Sequence, residues 1–290
     1  MKKQFDKGVV FMLLSAANLS IYSLFVKEGS QGISVIAITF FRFFLPLLIC
    51  LPFFWWGGTL KELWPLKNIR LQFLRSVSVI GTQLAMIYYL TKASLLDANM
   101  LWCTGPIFIP ILSRLFYGTR IPKITWLSIG ISFLGVALVL KPDEGIFDLF
   151  SLFGLLSGIG MAISQVLYGV NMERGKMGEN LFYLFFFCSA LMVIPFFVWE
   201  DVAFDLNASK ATVLAVIALS LASLFNQWFR GLAYRCASPI FLTPFLYFSV
   251  IVSGFFDWIV YRQTPDLWAY VGIALVLLGA GIKWQYMRRL

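Results

Sequence analysis

Histidine is absent from this chain. Its absence removes the commonest general base and the commonest metal ligand. Charge is scarce too: 13% of the residues are Asp, Glu, Lys or Arg, where a soluble domain carries roughly 25%. Four cysteines, Cys50, Cys103, Cys188 and Cys236, lie far apart with no Cys-x-x-Cys pair. They are expected to be reduced thiols in apolar segments, not a disulfide framework or a metal cage. A Gly-x-x-x-x-Gly-Lys-Ser/Thr phosphate loop is missing, which argues against direct ATP drive. Without histidine, a membrane-embedded enzyme would be left with carboxylate, lysine or tyrosine chemistry, and no such cluster stands out. No catalytic residue, cofactor or metal is expected.

What is present is apolar. The 290 residues are 60% hydrophobic, with 30 Phe, 11 Tyr and 10 Trp and a mean hydropathy of +0.84. So much apolar surface points to the bilayer as solvent. The net charge of +9 could indicate nucleic acid, but the basic residues fall in short connections and form no aromatic-interleaved surface. Nucleic acid is therefore excluded as a partner, and membrane lipid is expected. The basic start MKKQFDKG leads into an apolar run without a small-residue cleavage signature, and is read as the approach to a first membrane helix.

A helix needs about 20 mostly apolar residues to span the hydrocarbon core. Ten such segments are predicted, over 8–26, 33–56, 71–91, 95–117, 124–140, 149–170, 181–199, 211–230, 238–261 and 268–285. Counted in alternate connections, Lys and Arg divide 16 to 5, with Arg42 and Arg75 left inside spans. The excess marks the cytoplasmic side and places both termini there. Shifting the sequence by 144 residues lays 117-YGTRIPKITWLSIGISFLGVALVL-140 over 261-YRQTPDLWAYVGIALVLLGAGIKW-284. Two five-helix repeats follow, 1–143 and 144–290. Five is odd, so the second repeat must be inverted, a recurring transporter architecture with its site between the halves.

Several stretches also resemble a known family, the EamA-domain proteins of the drug/metabolite transporter superfamily. They are 40-FFRFFLPLLICLP-52, 88-YYLTKASLLDAN-99 followed by Pro106, 134-LGVALVLKPD-143, 233-AYRCASPIFLTPFLYFS-249 and 265-PDLWAYVGIALVLLGAG-281. The resemblance covers nearly the whole chain, and is nearest to members that move S-adenosylmethionine, riboflavin or similar metabolites. It implies an all-α integral membrane fold of ten helices and a central cavity lined from both halves. One departure stands out: where the family often has Gly-Glu after its fourth and ninth helices, this chain has Gly118-Thr119 and Arg262-Gln263. No role of that glutamate transfers.

Polar side chains within the spans are the candidate site, because they are costly against lipid and useful against a cavity. Ser220, Ser223, Gln227 and Arg230 recur at offsets of 3, 7 and 10 on one helical stripe, with Asn226 beside it. Asn18 and Tyr22 form an i, i+4 pair above Ser15. Gln83, Trp102, Gln165, Tyr168 and Tyr247 extend the set. Each could equally be an interhelical hydrogen bond or a packing residue; collectively they are read as lining for a flat or amphipathic organic solute. Arg42 could bind an anionic group, hydrogen-bond backbone carbonyls or snorkel. Arg75, near the end of its span, is expected at the interface. Asp97 is expected to cap a helix. Asp257 is a candidate proton or cation site, or alternatively an outer-interface carboxylate paired with Arg262. The expected function is a secondary transporter for a small organic metabolite in the cytoplasmic membrane of a prokaryote. A channel or non-transporting scaffold is the alternative. The oligomeric state is left open, a monomer being one reading, and so is coupling to a proton or other ion.

Overall fold

The computed structural model describes residues 2–29, 33–56, 68–90, 95–141, 151–198, 210–262 and 266–289. Among these, every regular element is helical. In chain order they are α1 (Lys2–Gly29), α2 (Val35–Trp56), α3 (Ile69–Leu90), α4 (Leu95–Trp102), α5 (Gly105–Tyr117), α6 (Lys123–Leu140), α7 (Ser151–Arg174), α8 (Met177–Val198), α9 (Lys210–Cys236), α10 (Pro239–Leu242), a 3₁₀ turn (Thr243–Tyr247), α11 (Phe248–Tyr261) and α12 (Leu267–Arg289). In hydrocarbon each backbone N–H and C=O must find a partner within the segment, and the helix provides it.

Among the described residues, eight helical segments are long and apolar enough to cross a bilayer, and a shorter apolar stretch, Ile36–Pro52, lies in α2. The helix α3 is not among the eight, its apolar run being interrupted by Gln72, Arg75, Ser76, Ser78, Thr82 and Gln83. Large apolar side chains point outward, with Leu115 at 72% and Phe197 at 77% exposure. Surfaces of that kind fit acyl chains, not water. The protein is a multi-pass membrane protein.

Two predicted spans are broken helices. The segment 95–117 divides at Cys103 and Thr104, where Thr104 Oγ1 donates to Leu101 O at 2.6 Å. Pro106, in the first turn of α5, has no N–H to continue the ladder. The segment 238–261 passes through α10 and the 3₁₀ turn, which contains Pro244, before α11 begins. Thr243 Oγ1 donates to Pro239 O at 2.8 Å, satisfying a carbonyl near the break. Pro46 and Pro195, by contrast, lie inside the continuous α2 and α8. The last turns of α9, predicted to end at 230, run on to Cys236.

Four helix pairs carry the main packing: α1 against α9, α3 against α7, α2 against α8 and α6 against α12. Phenylalanines fill the α2–α8 seam, where Phe40 stacks on Phe196 at 4.5 Å. The α6–α12 seam is closed by small residues: a Cβ built on Gly135 would stand 2.5 Å from Gly272 O, and one on Gly272 would stand 2.5 Å from Gly135 O. Ser128 donates to Gly279 O across the same seam. At the ends of these helices Lys141 pairs with Asp266. The hydrogen bond from Lys141 holds the Asp266 carboxyl below its ordinary range. The small contribution of this exposed pair is thus present at neutral pH and fades as pH falls through that lowered value.

Backbone-to-backbone approach at Gly135 yields a sharp test. Gly135→Ala should lower the unfolding temperature of the detergent-purified protein, by the equivalent of about 1–3 kcal/mol of overpacking. The same change at Gly130, where a Cβ meets nothing within 4 Å, should be neutral or stabilising. Equal effects at the two positions would contradict the close α6–α12 packing.

Candidate functional site

Three arginines are carried into the bundle: Arg42 on α2, Arg75 on α3 and Arg230 on α9, at 8%, 1% and 4% exposure. The stripe on α9 organises all three. Arg42 Nε donates to Ser223 Oγ at 3.2 Å, and its Nη1 donates to Tyr22 OH at 3.1 Å. Its guanidinium carbon lies 4.2 Å from the centre of the Tyr22 ring. One turn further along α9, Arg75 Nη2 donates to Gln227 Oε1 at 3.0 Å. The Arg75 guanidinium carbon also lies over Tyr168, 3.4 Å from the ring centre. Its Nε and Nη1 are buried without a hydrogen-bond partner. Next on the stripe, Arg230 Nε donates to Ser15 Oγ at 3.2 Å.

A ring of neutral groups holds these cations in place. Tyr168 OH donates to the Gln227 carbonyl at 2.7 Å, and Tyr234 OH donates to Gln165 Oε1 at 2.7 Å. The Tyr168 and Tyr234 rings meet edge to face at 5.6 Å. Gly231 makes this possible, since a Cβ there would fall 2.5 Å from the Tyr168 hydroxyl. Asn226 Nδ2 donates to Ser15 O at 2.7 Å, while Ser15 Oγ donates to Asn226 O at 3.1 Å. Thus Ser15 fastens α1 to α9 and offers its hydroxyl to Arg230.

Beside Arg230 lies a small cavity with about 10 Å³ of room, enough for one water. Its wall combines Leu19 of α1, Trp102, Cys103 and Pro106 at the α4–α5 break, and Met161 of α7. Leu246 and Tyr247 of the 3₁₀ turn and Ser249 of α11 complete it. Both helix breaks therefore open onto the same space. The Tyr247 hydroxyl is buried there without a partner. No group of three His, Cys, Asp or Glu able to hold a metal ion occurs among the described residues.

The sequence-predicted residues separate in an informative way. Tyr22, Arg42, Tyr168, Gln165, Asn226, Gln227 and Arg230 all join the buried polar network. Trp102 and Tyr247 line the cavity with Arg230. Asn18 is half-buried and donates to Leu14 O of its own helix at 2.9 Å. Gln83 is half-buried on α3 and is not part of the cavity wall. Gln263 and the side chains of Asp97 and Asp257 lie outside the described residues. Arg75, expected at the interface, is instead nearly fully buried against Tyr168. The signal was available: Gln72, Arg75, Ser76, Thr82 and Gln83 fall on one face of α3 at helical spacing. A second missed network sits nearby, where Gln72 donates to Asn180 Oδ1 and Asn180 Nδ2 donates to Asn171 O at 3.0 Å.

Fold and site together define a helical, multi-pass membrane protein with a buried arginine cluster and a small, mostly apolar cavity beside Arg230. The chain belongs to the EamA-like transporter family, which matches it twice, over residues 6–141 and 149–282. It is therefore placed in a family of transporters, not enzymes. The pseudopaline exporter CntI of Pseudomonas aeruginosa is 25% identical over 93% of each chain. The S-adenosylmethionine uptake transporter of Rickettsia prowazekii is 22% identical, over 95% of this chain and 91% of its own. A riboflavin transporter of Brucella anthropi is 23% identical, over 85% and 86%. A solved crystal structure shares the fold with a TM-score of 0.80 at 15% identity, covering 99% of this chain and 98% of its own.

The stacking of Arg75 on Tyr168 can be dissected by two substitutions. Tyr168→Phe keeps the ring and loses the hydroxyl donated to Gln227, and should cost about 1 kcal/mol of stability. Tyr168→Leu also removes the ring from a desolvated guanidinium, and should cost up to about 2 kcal/mol more. Thermal unfolding in detergent measures both. Equal shifts would show that the ring does not support Arg75.

Proposed function

We propose that the protein is a secondary transporter of a prokaryotic cytoplasmic membrane, moving a small organic metabolite by alternating access of two inverted five-helix repeats. The observation that carries the proposal is the cavity whose wall draws on α1, α4 and α5 from one half and on α7, α9, the 3₁₀ turn and α11 from the other. A site built between two bodies can change the side it opens to when one body rocks against the other. The space beside Arg230 has room for a single water, so admitting a metabolite requires the halves to part.

The repeat is supported by element bounds. Adding the 144-residue offset to α4 and α5, 95–102 and 105–117, gives 239–246 and 249–261, the territory of α10 with the 3₁₀ turn and of α11. The break in one half thus has its counterpart in the other. Packing agrees: the first helix of each half meets the third of the other, and second meets second and fifth meets fifth. That is the pattern a two-fold relation between halves produces. The charge bias keeps its sign after correction, since removing the buried Arg230 and Lys283 leaves 14 basic residues against 5. Three relatives named for the transport of different solutes support a metabolite as cargo.

Counterflow in proteoliposomes tests the proposal. Solute loaded inside should drive uptake of labelled solute that saturates with concentration, and Trp102→Ala should weaken its apparent affinity. Flux that rises linearly without saturation would instead indicate a channel, and no flux for any solute would remove the carrier. Topology has its own check in a cysteine-free background. Cysteines placed at Lys7 and Arg288 should react with an impermeant maleimide only from the cytoplasmic face. If protons are coupled, Asp257→Asn should abolish the pH dependence of uptake while leaving exchange, and unchanged pH dependence would discard Asp257 for that role.

A further inference from the structure

Among the described residues, the charges of the buried network do not balance. Arg42, Arg75 and Arg230 bring three positive charges inside the bundle, and like-charge repulsion couples Arg230 to both of the others. The helices that carry them contain no acid: α2, α3 and α9 have neither Asp nor Glu anywhere in their length. Carboxylates of the helices packed against them sit near helix ends: Asp6 and Glu28 on α1, Asp97 on α4, Glu173 on α7 and Glu179 on α8. Of these, Asp6 is already occupied with Trp284 and Arg288. Among the described residues, each hydrogen bond the three guanidiniums make goes to a neutral oxygen: Ser223, Tyr22, Gln227 and Ser15.

Burying a cation without a counter-charge is strongly unfavourable, and a protein retains such a cluster only if something compensates it. Neutral hydroxyls and an aromatic face offset part of the cost and leave donor capacity unused. Arg75 has two buried N–H-bearing nitrogens, Nε and Nη1, with no acceptor. They point to different sides of the guanidinium, and each can donate to one oxygen of an acid group, while Nη2, which both paired edges of the fork share, is bonded to Gln227. Arg230 faces the cavity, where the unpartnered Tyr247 hydroxyl offers a further donor to an oxyanion. Solutes that were cationic or neutral would leave all three charges uncompensated.

We propose that the cavity takes an organic anion with two or more acid groups, carboxylate or phosphate, whose charge is met by Arg75 and Arg230 with Arg42 at the far end. This rests on the transporter reading and narrows it to a substrate class. The residues that receive the three arginines, Ser223, Gln227 and Arg230 itself, follow one another along α9 at steps of four and three. At 1.5 Å rise per residue the cluster spans roughly 10 Å. An elongated solute with acid groups at separated positions matches that spread better than a compact ion.

The test uses full-length protein in detergent at low ionic strength. Thermal unfolding is followed against citrate, 2-oxoglutarate, 3-phosphoglycerate, acetate, inorganic sulfate, S-adenosylmethionine and riboflavin. Citrate, 2-oxoglutarate or 3-phosphoglycerate should stabilise saturably, and more than acetate or sulfate. A preference within that trio distinguishes a carboxylate site from a phosphate site. Arg230→Gln and Arg75→Gln should each weaken that binding at least ten-fold. Arg235→Gln removes the same charge from an exposed position on the same helix and should leave it unchanged. Where the glutamine variants fail to fold, Arg230→Lys keeps the charge, loses the fork and should still weaken binding.

The proposal is overturned if no acid probe binds, or if sulfate matches the organic acids, which would mean an adventitious ion only. It is overturned equally if the arginine variants bind as wild type does. Counterflow separates it from the function on which it rests. Saturable counterflow of riboflavin or S-adenosylmethionine with no response to acids would retire the anion site and leave the carrier standing. Acid binding without counterflow of the bound acid would do the reverse.

Discussion

Three guanidiniums in an apolar bundle impose a constraint that most of the interior polar contacts answer. Arg42, Arg75 and Arg230 must each be solvated by the protein because neither water nor lipid can do it. The stripe on α9 supplies much of that solvation: Ser223 for Arg42 and Gln227 for Arg75, with Asn226 bonded to Ser15, the residue that meets Arg230. Tyr168 and Tyr22 supply aromatic faces beneath two of the three. Even the glycine at 231 follows from this arrangement, since a side chain there would displace the Tyr168 hydroxyl. The α1–α9 contact, with Ser15 and Asn226 exchanging hydrogen bonds, is at once a packing seam and part of the cation shell.

Around that centre the helices do two different jobs. Pairs such as α6 and α12 approach to backbone contact through Gly135, Gly272 and Gly279, which suits a fixed seam. The broken helices line the cavity instead, at Cys103–Thr104 and through the 3₁₀ turn Thr243–Tyr247. Irregular backbone is tolerated at membrane depth where protein covers it or a cavity accepts its polar groups. Here both breaks meet those conditions, and each is patched by a threonine hydroxyl bonded to a nearby carbonyl.

Much of this was legible in the sequence, for identifiable reasons. Apolar runs separated by short basic connections fix helices, because the bilayer leaves the backbone little choice. The family was legible through motifs such as 40-FFRFFLPLLICLP-52. On α9 the offsets of 3, 7 and 10 located Ser223, Gln227 and Arg230 on one face, and they do share it. The helix breaks were not legible: hydropathy runs unbroken through 95–117 and 238–261, and proline alone does not distinguish a tolerated kink from a break. Arg75 was misplaced because closeness to a helix end was read as depth, whereas rotation about the helix axis decides burial. Asn18 shows the opposite error. An asparagine on a helix can satisfy itself on the carbonyl four residues back, so an i, i+4 polar pair is no guarantee of a shared cavity.

The most direct measurement is anomalous scattering from crystals of the protein soaked in bromide, a monovalent anion that marks uncompensated positive charge. The account predicts a bromide peak within contact distance of Arg75 or Arg230, beside the cavity, that is lost when citrate is included. Absence of bromide from the cluster, with a carboxylate of the chain itself paired to Arg75 or Arg230, would contradict it.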